Sequence, residues 1–131
     1  LDRIDEINTQ KRHRALHVME NLGGYPDLKF HREESRRHNY HLLVAQVADN
    51  LRNKFIRHMA RDYGIQCVVQ YYPLNRYPFY QKLGFGKANC PSTEVFFDNM
   101  VSFPFNHMLT DSEIDEIVAA SQETLGYLRR Q

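Results

Sequence analysis

Apolar residues recur at steps of three and four through the first twenty-two positions: Ile4, Ile7, Ala15, Val18 and Leu22, with Lys11 interrupting the stripe. That period marks one face of an amphipathic helix, and Gly23-Gly24 supply its stop. The period then changes. LKFHREESRRHNYHLLVAQV reads as two strands around a charged turn. The second, Tyr40 to Val47, is nearly continuous in apolar, β-favouring residues, which predicts a strand buried on both faces. Asp49 or Asn50 offers a cap for a helix striped by Leu51, Phe55, Met59 and Tyr63 and ended by Gly64. IQCVVQY, residues 65–71, predicts another short buried strand. QKLGFGKANCP is loop-like, residues 92–100 read as a short helix carrying Val95, Phe96 and Met100, and residues 101–105 as an extended segment closed by Pro104. Thr110-Asp111-Ser112-Glu113 has the form of a capping box, in which hydroxyl and carboxylate satisfy each other's orphan amides. Ile114, Ile117, Val118, Ser121, Leu125 and Leu128 then mark the buried face of a last helix. The sum is an α+β chain, one domain over residues 1–131, with a small sheet of three to four strands covered by helices.

Composition narrows the function classes. A chain of 131 residues is long enough for one domain with a core. An apolar fraction of 42% with 25% charged residues is ordinary for a folded protein and excludes a disordered one. The net charge of +1 gives no global ground for nucleic-acid binding. Arginine outnumbers lysine, and Arg36 adjoins Arg37, which leaves local anion binding open because the guanidinium fork suits phosphate. Two cysteines make neither a zinc pattern nor a disulfide framework and fit a reducing cytoplasm. No apolar run approaches a membrane span and no leader pattern is visible. The chain opens inside a helix rather than at a methionine, which predicts a fragment or processed product.

Few residues carry recognisable chemistry. His13 and His17 are four apart on a predicted helix, a metal-ligand spacing, but nothing nearby offers a third ligand and an exposed polar face is the plainer reading. His38-Asn39-Tyr40-His41 precedes the long strand. Alternation places His38 and Tyr40 on one side and Asn39 and His41 on the other, where strand-edge hydrogen bonding competes with a catalytic role. Cys67 sits in an apolar run and reads as a buried, inert thiol, while Cys90 has no adjacent base. No nucleophile elbow, zinc-protease or phosphate-loop motif is present. The most unusual stretch is QYYPLNRYPFY, residues 70–80. Pro73 and Pro78 stiffen it and bias Tyr72 and Tyr77 towards extended backbone. Its tyrosines offer broad faces with polar tips for a sugar or ring, and Asn75 and Arg76 add donors. A packed loop over the core is the competing reading.

The order of these segments resembles the DegT/DnrJ/EryC1/StrS family of pyridoxal-phosphate-dependent sugar aminotransferases, along nearly the whole chain. LDRIDEINTQKRHRALHVMENL is similar to the helix that follows the family's large domain. HNYHLLVAQV resembles the first core strand of the small domain. RNKFIRHMARDYGIQCVVQYYPL resembles the helix, Gly-Ile turn and strand leading to a Tyr-x-Pro-Leu loop. YQKLGFGKANCPSTEVFFDNMVSFPF and NHMLTDSEIDEIV are similar to the segments that close the domain. The resemblance implies the C-terminal small domain of a fold-type I transferase.

In that family the Schiff-base lysine, the aspartate facing the pyridine nitrogen and the phosphate-binding residues belong to the large domain. Lys11, Lys29, Lys54, Lys82 and Lys87 do not match the family's lysine motif. The resemblance therefore implies that this chain does not transaminate by itself. It further implies a parent enzyme that uses pyridoxal phosphate and an amino donor, glutamate, to aminate a nucleotide-diphosphate keto-sugar, working as a cytoplasmic homodimer without membrane or nucleic-acid partners. The substrate contacts it implies here are Tyr72 and Asn75, then His38 and Tyr40, with Arg37 placed to meet a diphosphate. Many family members carry histidine where this chain has Asn75, so a protonatable group there is replaced by a neutral hydrogen-bonding one. The alternative is a stand-alone, non-catalytic module that binds a sugar or nucleotide or covers a partner.

Overall fold

The computed structural model describes residues 2–31, 38–48 and 50–131. Ten elements follow the chain: α1 (Ile4–Leu22), β1 (Leu28–Phe30), β2 (Leu43–Val47), α2 (Arg52–Asp62), a 3-10 turn (Leu74–Arg76), α3 (Pro78–Lys82), a second 3-10 turn (Phe85–Lys87), α4 (Pro91–Asn99), β3 (Met100–Phe103) and α5 (Asp111–Leu128). The three strands form one antiparallel sheet in the order β1-β2-β3. Leu28 pairs with Val47 and Leu43 with Phe103, a register that puts Leu43, Ala45 and Val47 on the fully buried face of β2.

Burial follows the apolar stripes. Phe55 and Met59 of α2 are wholly buried, and α2 lies on β2 and β3. The helix α5 packs against both α1 and α2 and buries all six positions of its predicted stripe. Its start is the expected capping box: Glu113 N–H donates to Thr110 Oγ1 at 3.2 Å, and Thr110 N–H donates to Glu113 Oε2 at 2.7 Å. The α1 stripe is buried only in its second half, at Ala15, Val18 and Leu22, while Ile4 stays exposed.

Four sequence-based expectations change. The strand predicted from Tyr40 begins at Leu43, because Tyr40 takes a left-handed φ of 46° that no strand accommodates. It is fully buried on one face only, as an antiparallel sheet allows. Asn50 does not cap α2: that position falls to Leu51 with no side-chain bond, and Asp49 lies outside the described residues. IQCVVQY forms no strand, only a bridge in which Val68 and Ser102 exchange backbone bonds of 3.0 and 2.7 Å along the outer edge of β3.

The fourth change concerns residues 70–80. Tyr77 keeps the extended backbone its proline demands, with ψ 130°. Pro73, however, leads into a 3-10 turn, and Pro78 opens α3 at its first turn. A φ locked near that of a helix favours the first helical turn as much as an extended chain, and the missing N–H costs nothing there. The segment is therefore a small helical lobe, and its two 3-10 turns and α3 pack chiefly on one another.

Candidate functional site: a cleft at the head of the central strand

A cleft of about 470 Å³ opens where the chain enters β2, and Met19, His31, His38, Asn39, Tyr40 and Phe96 are among its walls. This size is typical of small-molecule sites. Its inner wall is set by the backbone turn just described. Tyr40 N–H donates to His38 Nδ1 at 2.9 Å, and His41 N–H donates to Asn39 Oδ1 at 3.1 Å. The two bonds replace strand pairing and hold the left-handed residue in place. Tyr40 is 3% exposed, and its ring lies 4.3 Å from that of His38, tilted by 58°. The two rings thus share one side, brought together by the left-handed turn at Tyr40 rather than by strand alternation.

The Tyr40 N–H bond has a chemical consequence. It requires His38 Nδ1 without a proton, so the neutral ring carries its proton on Nε2. His38 then offers an N–H donor, and protonation of the ring costs the bond that shapes the turn. The described walls contain no lysine, arginine, aspartate or glutamate. A cleft so built recognises hydroxyls and an apolar face. Among the described residues its walls offer pyridoxal phosphate no amine for the aldehyde and no carboxylate for the ring nitrogen. Burial lowers the pKa of Lys11. Its Nζ lies 5.8 Å above the Phe105 ring and is not among the residues lining the cleft.

Tyr72 and Asn75 lie elsewhere. No residue of the 70–80 stretch lines the cleft. Tyr72 meets Tyr77 and Phe97 edge-on, with centroids 5.1 and 5.3 Å away, and remains 42% exposed. Asn75 Nδ2 donates to the Ala88 carbonyl at 3.2 Å, tying the two 3-10 turns together and leaving Oδ1 as its free acceptor. Arg76 pairs with Glu94 at 3.1 Å and Asp98 at 3.6 Å and lies 5.7 Å from the Phe97 ring. Arg52 donates to the Phe97 carbonyl at 2.6 Å and sits 5.7 Å from the same ring. The helix α4 thus joins the two regions, with Phe96 in the cleft wall and Phe97 under the lobe. Sequence reasoning missed Phe96, Phe97 and Arg52 as organisers. The only available signal was an adjacent aromatic pair with one ring on either side of a short helix. Arg37 lies outside the described residues.

The remaining candidates have structural roles. His17 Nε2 lies 2.8 Å from Asp115 Oδ1 across the α1–α5 seam, and among the described residues no group of three metal-ligating side chains exists. Burial pushes the Cys67 thiol up to about 12, so it is inert at neutral pH. Cys90 is free and exposed at the start of α4.

This fold occurs within aminotransferases. The aminotransferase TlmJ from Streptoalloteichus hindustanus superposes with a TM-score of 0.85 over 98% of this chain and 34% of its own, at 18% identity. PseC from Helicobacter pylori, an aminotransferase involved in the biosynthesis of pseudoaminic acid, superposes at 0.83 over 97% of this chain and 35% of its own, at 21% identity. In sequence, protein MJ1066 of Methanocaldococcus jannaschii is 33% identical over 113 residues, 82% of this chain and 28% of that protein. The chain therefore spans about a third of the length of these relatives. The family model of the DegT/DnrJ/EryC1/StrS aminotransferases matches residues 1–122, and the chain belongs to that family.

Proposed function

We propose that this chain is the C-terminal small domain of a pyridoxal-phosphate-dependent enzyme that aminates a nucleotide-linked keto-sugar, with glutamate as the amino donor. The observation that carries the reading is the family match across residues 1–122, in a chain a third as long as the relatives it superposes on. The cofactor, an electron sink when bound, is held by the large domain of the longer protein, as is the lysine that anchors it. The working protein is a cytoplasmic homodimer. Consistent with a soluble enzyme, no described helix is long and apolar enough to cross a membrane.

The part left to these residues is binding and orientation. His38 donates from Nε2 and Tyr40 closes the cleft floor, so a sugar hydroxyl is held against an apolar wall. Tyr72 presents an exposed ring and Asn75 a free carbonyl oxygen on the lobe. Arg37, in this reading, meets the diphosphate. Leu74, Phe79, Leu83 and Phe85, all more than half exposed on the same lobe, form an apolar surface that the rest of the enzyme or its second subunit covers.

The test is the mass of the natural gene product in its source cells, followed by borohydride reduction with pyridoxal phosphate. The expected result is a polypeptide about three times longer than this chain that gains one cofactor on a lysine upstream of it. In that protein Tyr72→Ala and His38→Gln should raise the KM for the nucleotide sugar by about tenfold each. A natural product of 131 residues that binds nucleotide sugar without cofactor would instead establish the non-catalytic module.

A further inference from the structure

Far from that cleft, three aromatic rings gather where α2 meets α5. His58 and Tyr127 stack with centroids 4.4 Å apart and planes within 27°, and Tyr63 closes on His58 at 5.7 Å. Two of these rings are pinned by other groups. His58 Nδ1 is 3.0 Å from the hydroxyl of buried Thr124, and Tyr63 O–H donates to Glu123 at 2.7 Å. Tyr127 is 40% exposed. Two surface clefts of about 440 and 310 Å³ flank this platform and share His58 and Tyr127 between them.

The first cleft runs over Gly126. A Cβ built there would touch only Arg130 Nη1, at 3.5 Å, an ordinary contact. Packing therefore does not require a glycine at this helical position, although glycine is among the poorest helix formers. Its effect is to leave room beside the Tyr127 ring. The second cleft carries Lys54, Arg57 and Arg61, spaced at three and four along α2, against the single carboxylate of Asp62. Among the described residues neither Lys54 nor Arg61 forms an ion pair. In a chain of net charge +1, this is a local concentration of cations next to an aromatic face, with Asp62 lying 3.8 Å from His58 Nε2.

We propose that the second cleft binds a phosphorylated aromatic heterocycle, its ring against Tyr127 and its phosphate on Lys54, Arg57 and Arg61. Stacking and cation pairing are the two interactions that such a ligand supplies together. Its source is either a nucleotide or a vitamin B6 phosphate, and both carry the same chemistry. The site is independent of the cleft at β2 and of the reading given to it.

The test is calorimetric titration of this chain with UDP, ADP, pyridoxamine 5′-phosphate and inorganic phosphate. One of the three ring compounds should bind one to one, weaken with salt, and exceed phosphate by about tenfold or more. Tyr127→Ala and the paired Arg57→Gln, Arg61→Gln variant should each weaken it about tenfold, while Tyr127→Phe retains it. Gly126→Ala, in the first cleft, should raise Tm and leave this binding unchanged. Tyr72→Ala should leave this binding unchanged. The proposal is overturned if no ring compound binds below about 10 mM, if phosphate binds as tightly as they do, or if binding survives Tyr127→Ala.

Discussion

Ser102→Ala should make the protein more stable. Ser102 sits in β3 at 1% exposure, and its Oγ has no hydrogen-bond partner among the described residues. Its backbone is fully engaged: the amide donates to Val68 at 2.7 Å, the carbonyl accepts from Val68 at 3.0 Å, and Val44 pairs with it across the sheet. Only the hydroxyl is stranded. A buried hydroxyl without a partner costs about 1–3 kcal/mol. Alanine keeps Cβ and removes one atom, so the void left behind is smaller than a methyl group and its cost stays below about 1 kcal/mol. The difference is a gain of about 1 kcal/mol, which for a chain of this size raises Tm by about 3–5 °C. Urea unfolding followed by circular dichroism should show a higher midpoint at unchanged m. A variant destabilised by about 0.5 kcal/mol or more would refute the reasoning, since the hydroxyl would then have a partner it loses.

Other perturbations have equally definite outcomes. Glu113 has its pKa lowered, first by the Thr110 amide and then by the Thr110 hydroxyl, from a reference of 4.5. The stability this gives is present above that reference and is lost as pH falls through the lowered value. The urea midpoint should therefore drop below about pH 4.5, and Glu113→Gln should flatten that drop. Of the two thiols, N-ethylmaleimide at pH 7 should label exposed Cys90 quickly and Cys67 only after denaturation, because burial holds the latter near 12; rapid native labelling of both would contradict the placement of Cys67. Phe55, fully buried and edge-on to Phe103 at 6.1 Å, should cost about 3–5 kcal/mol on replacement by alanine, measured in the same urea experiment.

The helices were legible in the sequence because their information is local. The capping box of α5 and the stripes of α2 and α5 require only residues within a few turns, and the structure keeps all of them. The sheet was less legible. Residues 65–71 have strand composition, yet β3 accepts them through Val68 alone, a fact decided by a partner more than thirty residues away. Tyr40 was read as strand because periodicity contains no term for a histidine ring nitrogen capturing the next-but-one amide. The candidate site divides in the same way. His38 and Tyr40 sit together because the His38 ring nitrogen takes the Tyr40 amide in a left-handed turn. Tyr72 and Asn75 were grouped with them through the family resemblance, and the structure puts those two on a different surface, one of them bonded to Ala88. The aromatic cleft between α2 and α5 gave no sequence signal, since His58 and Tyr127 meet only through packing.

The seam between the first and last helices has a kinetic consequence. Arg14 reaches Asp111 at 3.0 Å and His17 reaches Asp115 at 2.8 Å, bonds that span 97 and 98 positions of the chain. Contacts so distant in sequence carry the largest loop-closure cost until the intervening elements have shortened the path. The sheet and α2 supply that shortening, so the seam should close late. Weakening Arg14 or His17 should then leave the folding rate nearly unchanged and accelerate unfolding, as read from the two arms of a urea chevron.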